Sequence, residues 1–159
     1  MIIKGIVDED FSNYKKPSML IATARCSMKC DELNGCQVCQ NSPLLFKPDI
    51  DISNEELINR YLSNNLTQAL IAAGMEPLDQ FAELISLIKD FREVSDDDIV
   101  IYTGYTDAEV RIMGVYDMLK QYKNIILKTG RFIMNQPSHY DELLGVELAS
   151  PNQYAERIS

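Results

Sequence analysis

Four cysteines, Cys26, Cys30, Cys36 and Cys39, fall within fourteen consecutive positions, and the chain has no others. Thiolates are soft ligands, and four of them on a polar stretch carrying Asp31, Asn34 and Gly35 suit a metal or cluster site. Buried structural cysteines would scatter through a core instead. Three chemistries share the pattern: an iron–sulfur cluster, a four-cysteine zinc knot, and a redox pair at Cys36-Gln37-Val38-Cys39. The pairs Cys26/Cys30 and Cys36/Cys39 satisfy the spacing of two zinc knuckles. A redox pair wants its Cys-x-x-Cys at a helix N-terminus, which lowers a thiol pKa, and Pro43 and Pro48 argue against a helix after Cys39. No acid–base pair stands out elsewhere, and His139 is the single histidine.

The elements that must position these thiols read as an alternation. A short strand over Ile2–Val7 closes in the acids Asp8-Glu9-Asp10, and Met19–Ala24 is a strand that delivers the chain to the cysteine segment, residues 25–50. Ser53 and Glu56 form a capping box for a helix with Leu57, Ile58, Tyr61 and Leu62 on one stripe. The apolar run Thr67–Ala73 predicts a strand covered on both faces, ending at Gly74-Met75-Glu76-Pro77. A helix from about Leu78 carries Phe81, Leu84, Ile85, Ile88 and Phe91. Strands over Ile99–Tyr102 and Asn124–Lys128 flank a further helix, capped by Thr106 and Glu109 and carrying Val110, Met113, Tyr116 and Leu119. The tail, residues 131–159, reads as mostly irregular, with a short strand at Leu144–Leu148.

This order predicts an α/β fold: a small, open, mostly parallel sheet with βα repeats, in one domain over residues 1–159. In such a sheet the C-terminal ends of the strands share one edge, where ligands bind. That edge would gather the cysteine segment, Gly74–Glu76, Tyr102–Tyr105 and Lys128–Gly130. Each group has a plain structural reading as well: Gly74–Pro77 as a strand-to-helix turn, Lys128 as a surface lysine with its stem buried.

Composition narrows the partners. The net charge of −9 makes a broad nucleic-acid surface a poor expectation. No apolar run approaches the roughly 20 residues of a membrane span. The N-terminal residues turn acidic by Asp8, which gives no signal-peptide core. Clustered cysteines in such a chain point to metal in a reducing cytoplasm rather than to disulfides.

A strand followed by Cys26-Ser27-Met28-Lys29-Cys30, and a second followed by Gly74-Met75-Glu76, resembles the radical S-adenosylmethionine (SAM) superfamily. Tyr102-Thr103-Gly104-Tyr105-Thr106, Gly130-Arg131-Phe132-Ile133 and Ala149-Ser150-Pro151-Asn152-Gln153 are similar to stretches of anaerobic ribonucleotide reductase activating proteins. Cys39-Gln40-Asn41 matches that family's third cysteine. Asp31–Cys36 reads as an insertion ahead of it, and Val38 replaces an aromatic. The resemblance implies a partial TIM-barrel-like core in which Cys26, Cys30 and Cys39 hold a [4Fe-4S] cluster with one open iron; Cys36 is the alternative ligand. It implies SAM bound through Gly74, Met75 and Glu76 at its amino group, Lys128 at its carboxylate, and Val38, Thr103 and Tyr105 on the adenosine side. Reductive cleavage would yield a 5′-deoxyadenosyl radical that activates a large glycyl-radical enzyme. A flavodoxin- or ferredoxin-type protein would donate the electron. The alternative outside enzymes is an α/β interaction module stabilised by zinc on all four cysteines.

Overall fold

The computed structural model describes residues 1–159. In chain order it contains strand β1 (Ile2–Asp10), β2 (Ser18–Thr23), helix α1 (Lys29–Asn34), β3 (Ile50–Asp51), α2 (Asn54–Ser63), β4 (Ala69–Gly74) and α3 (Phe81–Arg92). There follow β5 (Asp98–Tyr102), α4 (Asp107–Ile112), α5 (Val115–Leu119), β6 (Ile125–Thr129), β7 (His139–Asp141), β8 (Val146–Leu148) and β9 (Tyr154–Arg157). Seven strands form one sheet in the order β3-β1-β2-β4-β5-β6-β9, and β7 with β8 makes a separate hairpin. The central four, β2, β4, β5 and β6, are parallel; β1, β3 and β9 add antiparallel edges. The sheet is open, since β3 and β9 end it without meeting.

The parallel strands are apolar through their middles, with polar residues only at their ends, because both their faces are covered. Ile21, Leu70, Ile99 and Leu127 point into the larger core, where Leu57, Leu84, Phe91 and Leu119 of the helices pack against them. All the long crossovers therefore lie on one face. The opposite face is closed by Tyr14 together with Leu144 and Leu148 from the hairpin region, packed on Ile71, Val100 and Ile126. No helix is long and apolar enough to cross a membrane.

Helix starts follow local chemistry. Ser53 accepts from the Glu56 amide at 3.1 Å, and at Thr106 both arms of the capping box form. The helix after Thr106 is interrupted: Gly114 takes φ 72° and splits it into α4 and α5, leaving Met113 exposed. Leu62 is likewise outside the buried stripe. Strand β1 runs on through Asp8–Asp10, where a loop was expected. The buried Asp10 carboxylate accepts from the Ser12 hydroxyl and the Asn13 amide, so its charge is satisfied locally.

Two other segments are more ordered than their pattern suggests. The tail, expected to be irregular, supplies the hairpin and the edge strand β9, whose Tyr154–Arg157 lacks an apolar run because only one side is covered. The cysteine segment holds α1 and, after Cys39, a 3-10 helix over Ser42–Phe46. Pro43 sits in its first turn, where the missing N–H has no helical partner to lose, so proline did not bar a helical turn there.

Candidate metal centre

The register of the parallel strands sets the site. Thr23 pairs with Gly74 and Tyr102 with Lys128, so these strand ends finish level. The main chain continues the match: the amides of Met75 and Glu76 donate to the carbonyls of Thr23 and Arg25, the latter at 2.7 Å. Gly74 has φ 87°, and a Cβ there would lie 2.8 Å from the Ala22 Cα. Only glycine fits.

From this edge the cysteine segment departs in a tight turn, with Met28 in the left-handed region at φ 56°. The Met28 N–H donates to Cys26 Sγ at 3.3 Å. Cys26, Cys30 and Cys39 are half-buried, whereas Cys36 is exposed. Burial pushes the Cys26 thiol up to about 11 against the Met28 amide, with Glu76, Asp79 and Cys39 adding to the rise. Burial also raises Cys39, opposed by the amides of Asn41 and Ser42 and reinforced by Cys30 and Asp31. Cys39 thus lies within electrostatic reach of both Cys26 and Cys30. A raised Cys39 pKa is the reverse of what an activated redox pair needs.

Cys36 Sγ lies instead 3.8 Å from Met134 Sδ and 3.6 Å from the Asn34 carbonyl. No three His, Cys, Asp or Glu side chains converge as they would around a single ion. Cysteines that grip separate irons of a cubane stand farther apart than ligands of one zinc.

Beneath the thiols lies Glu76, 7% exposed. Its Oε1 accepts from the Leu78 amide at 3.0 Å and the Thr103 hydroxyl at 2.7 Å, its Oε2 from the Gly104 amide at 2.8 Å. Burial nevertheless pushes its carboxyl up to about 7, against those three donors. Gly104 leaves room for this packing, since a Cβ there would meet Cys30 Sγ and Glu76 Oε2, each at 3.4 Å.

Lys128 is buried rather than lying along the surface. Its ammonium donates to the Gly130 carbonyl at 3.0 Å. Burial lowers it to about 8, opposed by the charges of Cys30 and Glu76.

A cleft of about 400 Å³ opens beside these groups, lined by Asn41, Gly74, Met75, Tyr102, Thr103 and Lys128 among others. A second cavity of about 280 Å³, lined by Cys39, Phe132 and Gln153, shares Asn13, Asn41, Tyr102 and Lys128 with it. Of the expected contacts, Gly74, Met75, Thr103 and Lys128 face the large cleft. Glu76 and Tyr105 border a separate narrow crevice with Cys26, Lys29 and Arg131, which meets the cleft at Gly104. Val38 lines none of these spaces; its amide donates to Asp31 at 2.8 Å.

Asp79 and Gln80 had no signal in the sequence pattern, whereas Asn41 stood in the Cys39-Gln40-Asn41 match. Asp79 accepts from the Ser27 amide and from the Tyr105 hydroxyl, while Gln80 Oε1 accepts from the Ala24 amide. Asn41 Nδ2 donates to the Gly74 carbonyl at 2.6 Å. Asp79 and Gln80 sit at the start of an amphipathic helix, where polar residues carry no signal of their own. Their position directly after the glycine turn was the one available clue.

Residues 18–150 match the family of 4Fe-4S single cluster domains. The chain belongs to that family. Searches of curated proteins and of solved structures give no match. The residues fit the group the family carries: three half-buried thiols share one loop, and the Met28 N–H donates to Cys26 Sγ, as amides do to thiolates that hold a cluster.

Proposed function

We propose that this iron–sulfur protein is a radical SAM enzyme that activates a glycyl-radical partner. The observation that carries the reading is the convergence at one strand edge: three half-buried thiols, the Gly74 main chain, and a buried Lys128 beside a cleft of about 400 Å³. That volume lies within the roughly 300–1,000 Å³ of ligand pockets. The open sheet with helices on one face is compatible with a partial barrel whose concave side holds the ligand.

In this reading Cys26, Cys30 and Cys39 hold the [4Fe-4S] cluster. Held there, a reduced cluster would supply the one electron that reductive cleavage of the SAM sulfonium to methionine and a 5′-deoxyadenosyl radical requires. The chain's own residues bind and orient. Lys128, buried without a matching carboxylate, neutralises the ligand carboxylate. The Gly74-Met75 main chain and the remaining acceptor capacity of Glu76 take the ligand amino group. Thr103 and the aromatic Phe132 border the adenosine side, with Tyr105 and Val38 placed farther back.

The partner follows from access. The cleft opens to solvent, and an exposed radical is quenched unless another surface covers it. A protein surface does this readily, which favours a glycine on a large enzyme. Electrons would come from a flavodoxin- or ferredoxin-type protein.

The test is anaerobic reconstitution followed by reduction with dithionite in the presence of SAM. The expected result is slow release of 5′-deoxyadenosine, and with a glycyl-radical enzyme added as partner a glycyl doublet in electron paramagnetic resonance. Iron uptake without any 5′-deoxyadenosine would contradict the SAM chemistry. Cleavage coupled to a small molecule, with no protein radical, would remove the activase role alone.

A further inference from the structure

Cys36 and Cys39 are chemically equivalent thiols three residues apart in one loop. Something must decide which of them completes the cluster with Cys26 and Cys30. Spacing does not decide it, because the segment Asp31–Cys36 is long enough to present either.

The geometry points to Asp31 as the residue that selects Cys39. Asp31 lies in the first turn of α1, and its Oδ1 accepts from two successive amides across the loop, Val38 at 2.8 Å and Cys39 at 3.0 Å. Two bonds to one carboxylate oxygen fix the main chain of Cys39 against the helix that starts beside Cys30. Gly35, at φ 66°, ends the helix and lets the chain turn back.

Asn34 completes the brace on the other side. Its Nδ2 donates to the Cys30 carbonyl at 2.7 Å and to the Phe132 carbonyl at 3.0 Å, and its Oδ1 accepts from the Met134 amide at 3.0 Å. The result leaves Cys36 exposed at Met134 and puts Cys39 half-buried, within electrostatic reach of Cys30.

The same carboxylate has an electrical consequence. Asp31 places a negative charge near Cys39 and occupies two amides that could otherwise donate to cluster sulfur. Negative charge and fewer N–H···S bonds both lower a cluster's reduction potential. Asp31 is thus a positioning residue that also makes the cluster a stronger reductant.

The inference rests on the cluster being held by this loop, and it does not depend on SAM. It is tested in the full chain, reconstituted anaerobically, by iron and sulfide content, visible absorbance and midpoint potential. Wild type and Asp31→Ala should each bind about four irons; Cys26→Ala and Cys39→Ala should bind none. Asp31→Ala/Cys39→Ala should regain the cluster through Cys36, and adding Cys36→Ala should abolish it again. Asp31→Asn keeps the acceptor, so Asp31→Asn/Cys39→Ala should stay empty, while Asp31→Asn alone is loaded with a more positive potential. A cluster in Cys39→Ala alone would overturn the inference. So would an empty Asp31→Ala, which would make Asp31 a folding residue only, or an empty Asp31→Ala/Cys39→Ala beside a loaded wild type. In the last case the cluster reading stands. A wild type without iron would instead overturn the cluster reading itself.

Discussion

The two ends of the parallel sheet treat buried charge in opposite ways. At the N-terminal end Asp98, 5% exposed, accepts from Lys16, from Arg157 at 2.8 Å and from the Tyr14 hydroxyl at 2.9 Å. Burial raises its carboxyl, but these three donors outweigh it and hold the pKa below the usual range. At the C-terminal end Glu76 and Lys128, 7% and 6% exposed, form no ion pair with each other, and burial drives both toward neutrality. One end is balanced within the chain. The other carries two buried ionisable groups with no salt-bridge partner, the pattern expected at a functional site.

The comparison can be broken most sharply at the thiols. Cys26→Ala, Cys30→Ala or Cys39→Ala should each abolish iron uptake, whereas Cys36→Ala should leave it intact, as read by iron analysis after anaerobic reconstitution. Loss on removing Cys36 alone would transfer the site to the other end of the insertion.

Next in size are the buried charges. Asp98→Asn leaves Lys16 and Arg157 without their counter-charge, and charge-assisted hydrogen bonds of this kind contribute about 1.5–3 kcal/mol, so urea unfolding should show a loss in that range. Lys128→Met should behave differently: removing an uncompensated buried ammonium should leave the cluster-free fold as stable or slightly more so, while SAM binding weakens at least tenfold. A large destabilisation by Lys128→Met would make that end structural as well.

The pH response should also separate the ends. Asp98 has a depressed folded pKa, so its stabilisation is present above the ordinary 3.8 and disappears as pH falls. Glu76 has a raised folded pKa, so the folded state binds its proton more tightly. Its contribution is favourable below the ordinary 4.5 and is lost as pH rises toward about 7. Stability against pH should therefore flatten on the acid side in Asp98→Asn and between 4.5 and 7 in Glu76→Gln.

The smallest effect concerns the Arg131–Glu109 pair, which joins the loop after β6 to α4 at 2.7 Å. The Arg131 guanidinium holds Glu109 down at about 2. Glu109→Gln should cost little at neutral pH because the pair is partly solvated, and the difference should vanish as pH falls from 4.5 to about 2.

Much of this was legible in the sequence, for identifiable reasons. Leu70-Ile71-Ala72, Ile99-Val100-Ile101 and Ile125-Ile126-Leu127 announce themselves because parallel strands need apolar residues on both faces. The chain order then fixes which loops share an edge. The brace around the cysteines was not legible: Asp31, Asn34 and Asp79 are ordinary polar residues whose partners lie across the loop or far along the chain. Edge strand β9 was hidden for the related reason that it is covered on one side only. Lys128 looked like a surface residue because a lysine at a strand end is ordinarily solvated, and nothing in a sequence states that this one folds back onto the Gly130 carbonyl and is buried.

The central claim is that the C-terminal edge holds a cluster with an iron open to SAM. The most direct measurement is the electron paramagnetic resonance spectrum of the dithionite-reduced protein before and after SAM is added. Ligation at an open iron should shift the g-values and change the line shape in wild type, with a weaker response at limiting SAM in Lys128→Met. A spectrum that SAM leaves unchanged at saturating concentration, on protein loaded with about four irons, would contradict the claim.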